Sequence, residues 1–349
     1  MARTPSRKKP AHPLTDEFAL YLRAYGRAAA LPLSYSDLAH YATSVPLLDA
    51  AGEDTLWETV YYADSEREEV DRGLRHIYAL LRTDGDDDVL EHLEIARIDF
   101  CAFGNTQPFR VRVRNRLNDN YDHYYVKRAD ANRLFGLELE HILSPNRIEF
   151  LVRGDTLVEE HIAGVPGDNF IARNLAKSVV NRTRLAKEFV KFNERCFVRL
   201  LGDMRAYNYV VDITPDIEGN QYRLRAIDFD QQSYEGDIKF YLPQFFKDNN
   251  PILQKGFGLL SPESVIQYQL EERSLIAVRA TTIADRLGEL MDCMRRAWLS
   301  PEAKVRRLAG QLDAHHGTGR FTACRTMGEL VATHLELVLD KEFQRSMRA

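Results

Sequence analysis

Closely spaced cysteines, the mark of a disulfide scaffold, a redox dithiol or a zinc knuckle, are missing from this chain. Cys101, Cys196, Cys293 and Cys324 lie far apart, with no Cys-x-x-Cys pair. They read as reduced, mostly buried thiols, and the cytosol is the expected compartment. No apolar run approaches the roughly 18 residues that span a bilayer, so no membrane association is expected. A surplus of positive charge is missing too: 47 basic residues face 52 acidic ones, a formal net charge of −5. That balance argues against a chain broadly adapted to nucleic acid. Nor is the chain polar enough for disorder, being 44% hydrophobic and 28% charged. Its 349 residues suit one large domain or two.

Residues 1–14 are expected to be a disordered basic tail, with Arg3, Arg7, Lys8 and Lys9 and no apolar core behind them. Residues 15–92 read as a helical region. Phe18, Leu22 and Tyr25 open it, and Trp57, Val60, Tyr61, Val70, Leu74, Ile77 and Leu81 recur at three- and four-residue spacing. The run Asp84-Gly85-Asp86-Asp87-Asp88 then breaks the pattern. It lacks a Glu at the offset a calcium loop requires, and reads as an acidic loop.

Over 93–164 the period changes to two. Phe109-Arg110-Val111-Arg112-Val113-Arg114 alternates strictly, Tyr124-Tyr125-Val126-Lys127 follows a turn, and Arg153-Gly154-Asp155 joins two further strands. The predicted order is three strands, a helix over 131–143, and two strands. Residues 165–349 read as mainly helical, with a strand pair at 209–213 and 222–227. Arg110, Arg112 and Arg114 read as a solvated sheet face, and His315-His316 as part of a loop rather than a metal site.

The chemically informative stretch is Gly202-Asp203-Met204-Arg205-Ala206-Tyr207-Asn208, between a helix and a strand. Ile227-Asp228-Phe229-Asp230 closes the second strand of the pair. Phosphoryl transfer from ATP needs such a set: one carboxylate to orient or deprotonate the attacking hydroxyl, and a second group with another carboxylate to hold Mg²⁺. Asp230 reads either as a structural acceptor or as a further metal ligand.

Asp203 with Asn208 resembles the Asp-x-x-x-x-Asn catalytic loop of the protein-kinase-like superfamily. Leu201-Gly202-Asp203 is similar to the His-Gly-Asp of aminoglycoside phosphotransferases, with Leu201 where the family has His. Ile227-Asp228-Phe229-Asp230 resembles the Ile-Asp-Phe-Glu of choline kinases. The resemblance covers about residues 93–250. It implies an α+β, two-lobed kinase-like fold, with a small antiparallel sheet lobe over 93–164 and a large helical lobe over 165–349.

The implied roles follow residue by residue. Lys127 holds the ATP phosphates, paired with Glu138 or Glu140, which lie about 200° apart on their helix so that at most one serves. Glu160 and Ile162 contact adenine, and Gly104 is the one glycine at the turn where the family has a glycine-rich loop. Asn208 and Asp228 hold Mg²⁺, Asp203 is the catalytic base, and Arg205 neutralises the γ-phosphate. The implied activity is transfer to a hydroxyl acceptor, most simply a small molecule. An atypical protein kinase and an inactive scaffold that binds a protein partner stay open. Phe240, Tyr241, Phe245 and Phe246 either line the acceptor pocket or pack the core.

Overall fold

The computed structural model describes residues 9–49, 51–83, 87–104, 106–217 and 219–340. The first eight residues of the basic tail and positions 84–86 of the acidic loop lie outside the described residues. About 50% of the chain is helical, with a seven-stranded antiparallel sheet and a small three-stranded one. Two compact units divide it: residues 1–130 with 148–161, and residues 131–147 with 162–349.

In the first unit, α1 (Asp16–Ala24) and α2 (Tyr35–Ala39) precede the hairpin of β1 (Thr43–Leu48) and β2 (Asp54–Tyr61). Then come α3 (Asp64–Arg82), β3 (Leu93–Phe100), β4 (Phe109–Asn115), β5 (Tyr121–Arg128), β6 (Phe150–Arg153) and β7 (Thr156–Glu160). The sheet runs β1-β2-β3-β4-β5-β7-β6. The alternation of β4 puts Phe109, Val111 and Val113 on the core face, in the same hydrophobic cluster as Leu74, Ile77 and Leu81 of α3. Those α3 residues recur at helical spacing, and Asp64 and Glu66 complement the positive end of the helix dipole.

Two expectations for this unit change. Trp57, Val60 and Tyr61 lie on strand β2 and not on a helix, because β2 is hydrogen-bonded on both sides: Val60 faces Ser44 of β1, and Thr59 faces Asp99 of β3. The helical spacing of those three residues is also compatible with a strand that alternates imperfectly, and its partners decide the outcome. The second change is at the amino end. Lys9 Nζ lies 2.9 Å from both carboxylate oxygens of Asp130, and the His12 backbone N–H donates to the same carboxylate at 2.7 Å. His12 is buried, so Lys9 and His12 are anchored rather than part of a disordered tail, although Pro10, Ala11 and Pro13 are exposed. The arginine stripe on the far face is ion-paired: Arg110 bonds Asp99, and Arg114 bonds Glu94. Arg112 stacks 3.7 Å over the Tyr121 ring.

The second unit contains α4 (Ala131–Leu143), then β8 (Val165–Pro166), α5 (Gly167–Arg173) and α6 (Arg182–Val198). A hairpin of β9 (Tyr209–Asp216) and β10 (Gly219–Ala226) follows, and β8 pairs with β9. Five helices complete it: α7 (Asn250–Gly256), α8 (Pro262–Thr282), α9 (Ala284–Arg296), α10 (Glu302–His316) and α11 (Met327–Leu339). Its core includes Phe189, Phe192, Leu270, Leu290, Leu308, Phe321 and Leu330. His315 and His316 form the last turn of α10, not a loop, and Gly317 caps it in the left-handed conformation. His316 Nε2 lies 3.0 Å from His334 Nε2, and burial holds the His316 imidazole down to about 4. None of the helices described is long and apolar enough to cross a membrane.

Candidate active site

Asp203 stands on the loop that follows α6, which is braced against the segment after Asp230. Leu200, Asp203 and Ser233 all adopt left-handed backbone angles, with φ of 51°, 60° and 50°. For a leucine this conformation costs of order 1–3 kcal/mol and persists only where surrounding bonds over-determine it. Here they do. The Ser233 N–H donates to Leu200 O at 2.9 Å, the Gly202 N–H to Gln231 O at 3.3 Å, and the Asp203 N–H to Phe240 O at 3.1 Å. Leu201, where the resembling families carry His, is buried and bridges to Gln232. The loop is thereby cross-braced to the segment following Asp230.

The side chains around Asp203 are held in the same way. Arg205 Nε donates to Asp203 Oδ1 at 2.9 Å, and its guanidinium lies 5.1 Å over the Phe246 ring. Asn208 Nδ2 donates to the Asp203 backbone carbonyl at 2.7 Å. The Ile227 N–H donates to the Asn208 backbone carbonyl at 3.0 Å, which sets Asp228 beside Asn208. Asn249 clamps the loop from below, donating to Met204 O and Pro243 O while accepting from the Tyr209 hydroxyl. Burial pushes the Asp203 carboxyl up to about 6; Arg205 pulls it down, and the charges of Asp228 and Asp248 add a smaller upward push.

Asp203, Arg205, Asn208 and Asp228 therefore belong to one constellation within the second unit. The Asp228 carboxylate and the Asn208 amide oxygen are hard oxygen donors of the kind Mg²⁺ accepts, and that ion commonly takes its remaining ligands from water and phosphate. Among the described residues no group of three His, Cys, Asp or Glu side chains is placed to hold a metal by itself. Asp228 Oδ1 also accepts from Arg133 at 2.9 Å and from the Asp230 backbone N–H at 3.1 Å, and Arg133 reaches Asp230 Oδ1 at 2.7 Å. Arg133 of α4 and Asn249 are the two residues here that sequence reasoning missed. Neither sits in a motif, and no spacing marks them.

Lys127, Gly104 and Glu160 lie in the first unit. Lys127 Nζ donates to Glu159 Oε2 at 2.7 Å across the β5–β7 pair. Gly104 accepts at its carbonyl from the Gln107 N–H, and a Cβ there would stand 2.8 Å from the Pro108 ring. Glu160 ends β7 and pairs with Arg82 at 2.8 Å, whereas Ile162 is a buried residue of the second unit. Glu138 and Glu140 leave α4 in different directions, as their spacing requires. Glu138 receives Arg286 of α9, and Glu140 receives Arg199, which follows α6. Of the aromatic cluster, Tyr241 is fully buried. Phe240 and Phe246 pack edge to face beside Asp203 and Arg205, and Phe245 lines a cavity of about 240 Å³ with Asn193, Leu242 and Gln244. No protein-family model and no curated protein matches this chain.

Proposed function

We propose that this chain is a phosphotransferase that moves the γ-phosphoryl group of ATP to a hydroxyl acceptor, with Asp203 as the catalytic base. The observation that carries the reading is the Asp203 carboxylate itself. It is pushed up to about 6 by burial and fixed on a strained loop beside Asn208 and Asp228. A base of that pKa is mostly ionised at neutral pH and still basic enough to take a proton as the acceptor oxygen attacks. The acceptor O–H bond breaks toward Asp203 and the new O–P bond forms. The bond from phosphorus to the bridging oxygen breaks, and ADP leaves with the electron pair. Arg205 balances charge next to Asp203, and Asn208 holds the loop carbonyl still, so much of the effect is positioning. Mg²⁺ held by Asp228 and Asn208 would neutralise phosphate charge. A small-molecule acceptor is the favoured class, because the Gly202-Asp203 pair is similar to that of aminoglycoside phosphotransferases.

The test is incubation with γ-labelled ATP, Mg²⁺ and a panel of small hydroxyl compounds. Label on a small acceptor supports the reading, and label only on proteins replaces the acceptor class with a protein. No transfer and no ATP turnover across the panel would favour a non-catalytic scaffold. That second reading rests on one observation, the occupation of Asp228 by Arg133.

The rate rises with pH through about 6 as Asp203 ionises. Arg205→Met removes the cation that holds this carboxyl down, so the acid limb moves to higher pH. A pH–rate profile of kcat/KM checks it, and an acid limb that stays in place in the variant contradicts the assignment.

A further inference from the structure

We propose that Arg133 is a resident cation of the metal site, a positioning residue that stands where a second divalent ion would otherwise bind and limits the site to one. The proposal rests on the reading of Asp228 as a metal ligand. A guanidinium keeps its charge at every working pH, and its planar fork suits two carboxylates at once. Arg133 is 2% exposed, and its Nη1 bridges Asp228 Oδ1 and Asp230 Oδ1, at 2.9 and 2.7 Å.

The arginine is not a mobile surface group that happens to lie there. One residue earlier, Asn132 Nδ2 donates to Gln232 O at 2.7 Å and to Leu299 O at 3.1 Å. One turn further on, α4 comes so close that a Cβ on Gly136 would stand 3.0 Å from Phe229 Cβ. Glu138 and Glu140 then tie the same helix to Arg286 and Arg199. The helix is thus fixed on the 228–232 segment, and Arg133 is delivered to the two carboxylates by the backbone.

A divalent ion approaching Asp228 therefore meets a carboxylate whose Oδ1 already accepts from two donors, Arg133 and the Asp230 N–H. Asp230 is turned toward the same arginine and away from a ligand role. Removing one partner of a buried ionic cluster leaves the remaining charge uncompensated, and a cation from solution relieves it. The loss of Arg133 should accordingly raise affinity for a divalent ion by about tenfold or more, or add a second ion.

The experiment is Mn²⁺ titration of the full chain, read by electron paramagnetic resonance, on the wild type, Arg133→Met, Arg133→Gln and Asp228→Asn. Near-ultraviolet circular dichroism establishes which variants are folded; the glutamine form retains a hydrogen-bonding side chain if the methionine form fails. Supporting results are one ion in the wild type with tighter or additional binding in either variant; binding that appears only in the variants overturns the one-ion site of the wild type. Unchanged affinity and stoichiometry in a folded variant, with binding abolished in Asp228→Asn, overturns the role of Arg133 and leaves the metal site standing. No binding in the wild type or in either Arg133 variant overturns both.

Discussion

Asp203→Asn is expected to melt higher than the parent at pH 7 while losing transfer activity by about 10²- to 10⁴-fold. The two effects have one cause. Burial raises the Asp203 carboxyl from an ordinary 3.8 to about 6, so the folded chain holds a proton that the unfolded chain has lost between those values. Stability therefore falls as pH rises through that window, and the full penalty is present above about 6. A shift of that size corresponds to about 2–3 kcal/mol at neutral pH, an upper value because the side chain retains some solvent. Asparagine avoids the charge and tolerates the left-handed angle at this position better than most residues. The gain over the parent should shrink toward pH 4, where both side chains are neutral. Thermal melts of the two proteins from pH 4 to 8 check this. A variant less stable than the parent at pH 7 contradicts the account.

The second large effect is expected at Gly167, the first residue of α5. A Cβ there would stand 2.4 Å from Ala206 O and 2.4 Å from Tyr209 Cε2. Neither neighbour has room to yield. Tyr209 is fully buried, bonds Asn249 through its hydroxyl and packs on Phe192, while Ala206 begins the turn that carries Asn208. Gly167→Ala should cost about 3 kcal/mol or more and displace Asn208 from Asp203. The informative control is Gly328→Ala. Its Cβ would stand 2.1 Å from Met294 O, at the crossing of α11 and α9. That variant should be destabilised to a similar degree while its folded fraction binds Mn²⁺ as the wild type does. Gly167→Ala should instead bind Mn²⁺ more weakly even at a temperature where it is folded. Equal binding by the two variants would detach the α5 contact from the site.

Much of this was legible in the sequence where the signal is local. The alternation of β4, the turn that joins β6 to β7 and the helix that precedes them needed no partner to be read. The five-residue spacing of Asp203 and Asn208 placed both on one loop, and the β9–β10 hairpin returned Asp228 to its side. What escaped depends on partners distant in sequence. The spacing of Trp57, Val60 and Tyr61 fits a helix until β1 and β3 supply hydrogen bonds on either side. Lys127 meets Glu159 through the antiparallel register of β5 and β7, which no local pattern encodes. Arg133 is one arginine on an apolar helix, and its partners lie 95 and 97 residues further along the chain. Lys9 reads as tail because its basic neighbours suggest solvent, whereas Asp130 gives it a buried counter-ion.

The central claim is that Asp228 helps this chain hold a Mg²⁺-bound nucleotide for transfer at Asp203. Calorimetric titration with ATP, with and without Mg²⁺, on the wild type and Asp228→Asn tests it most directly. The account predicts binding that requires Mg²⁺ and weakens by about tenfold or more in the variant. No ATP binding by the wild type in Mg²⁺, or equal binding by both proteins, would contradict it.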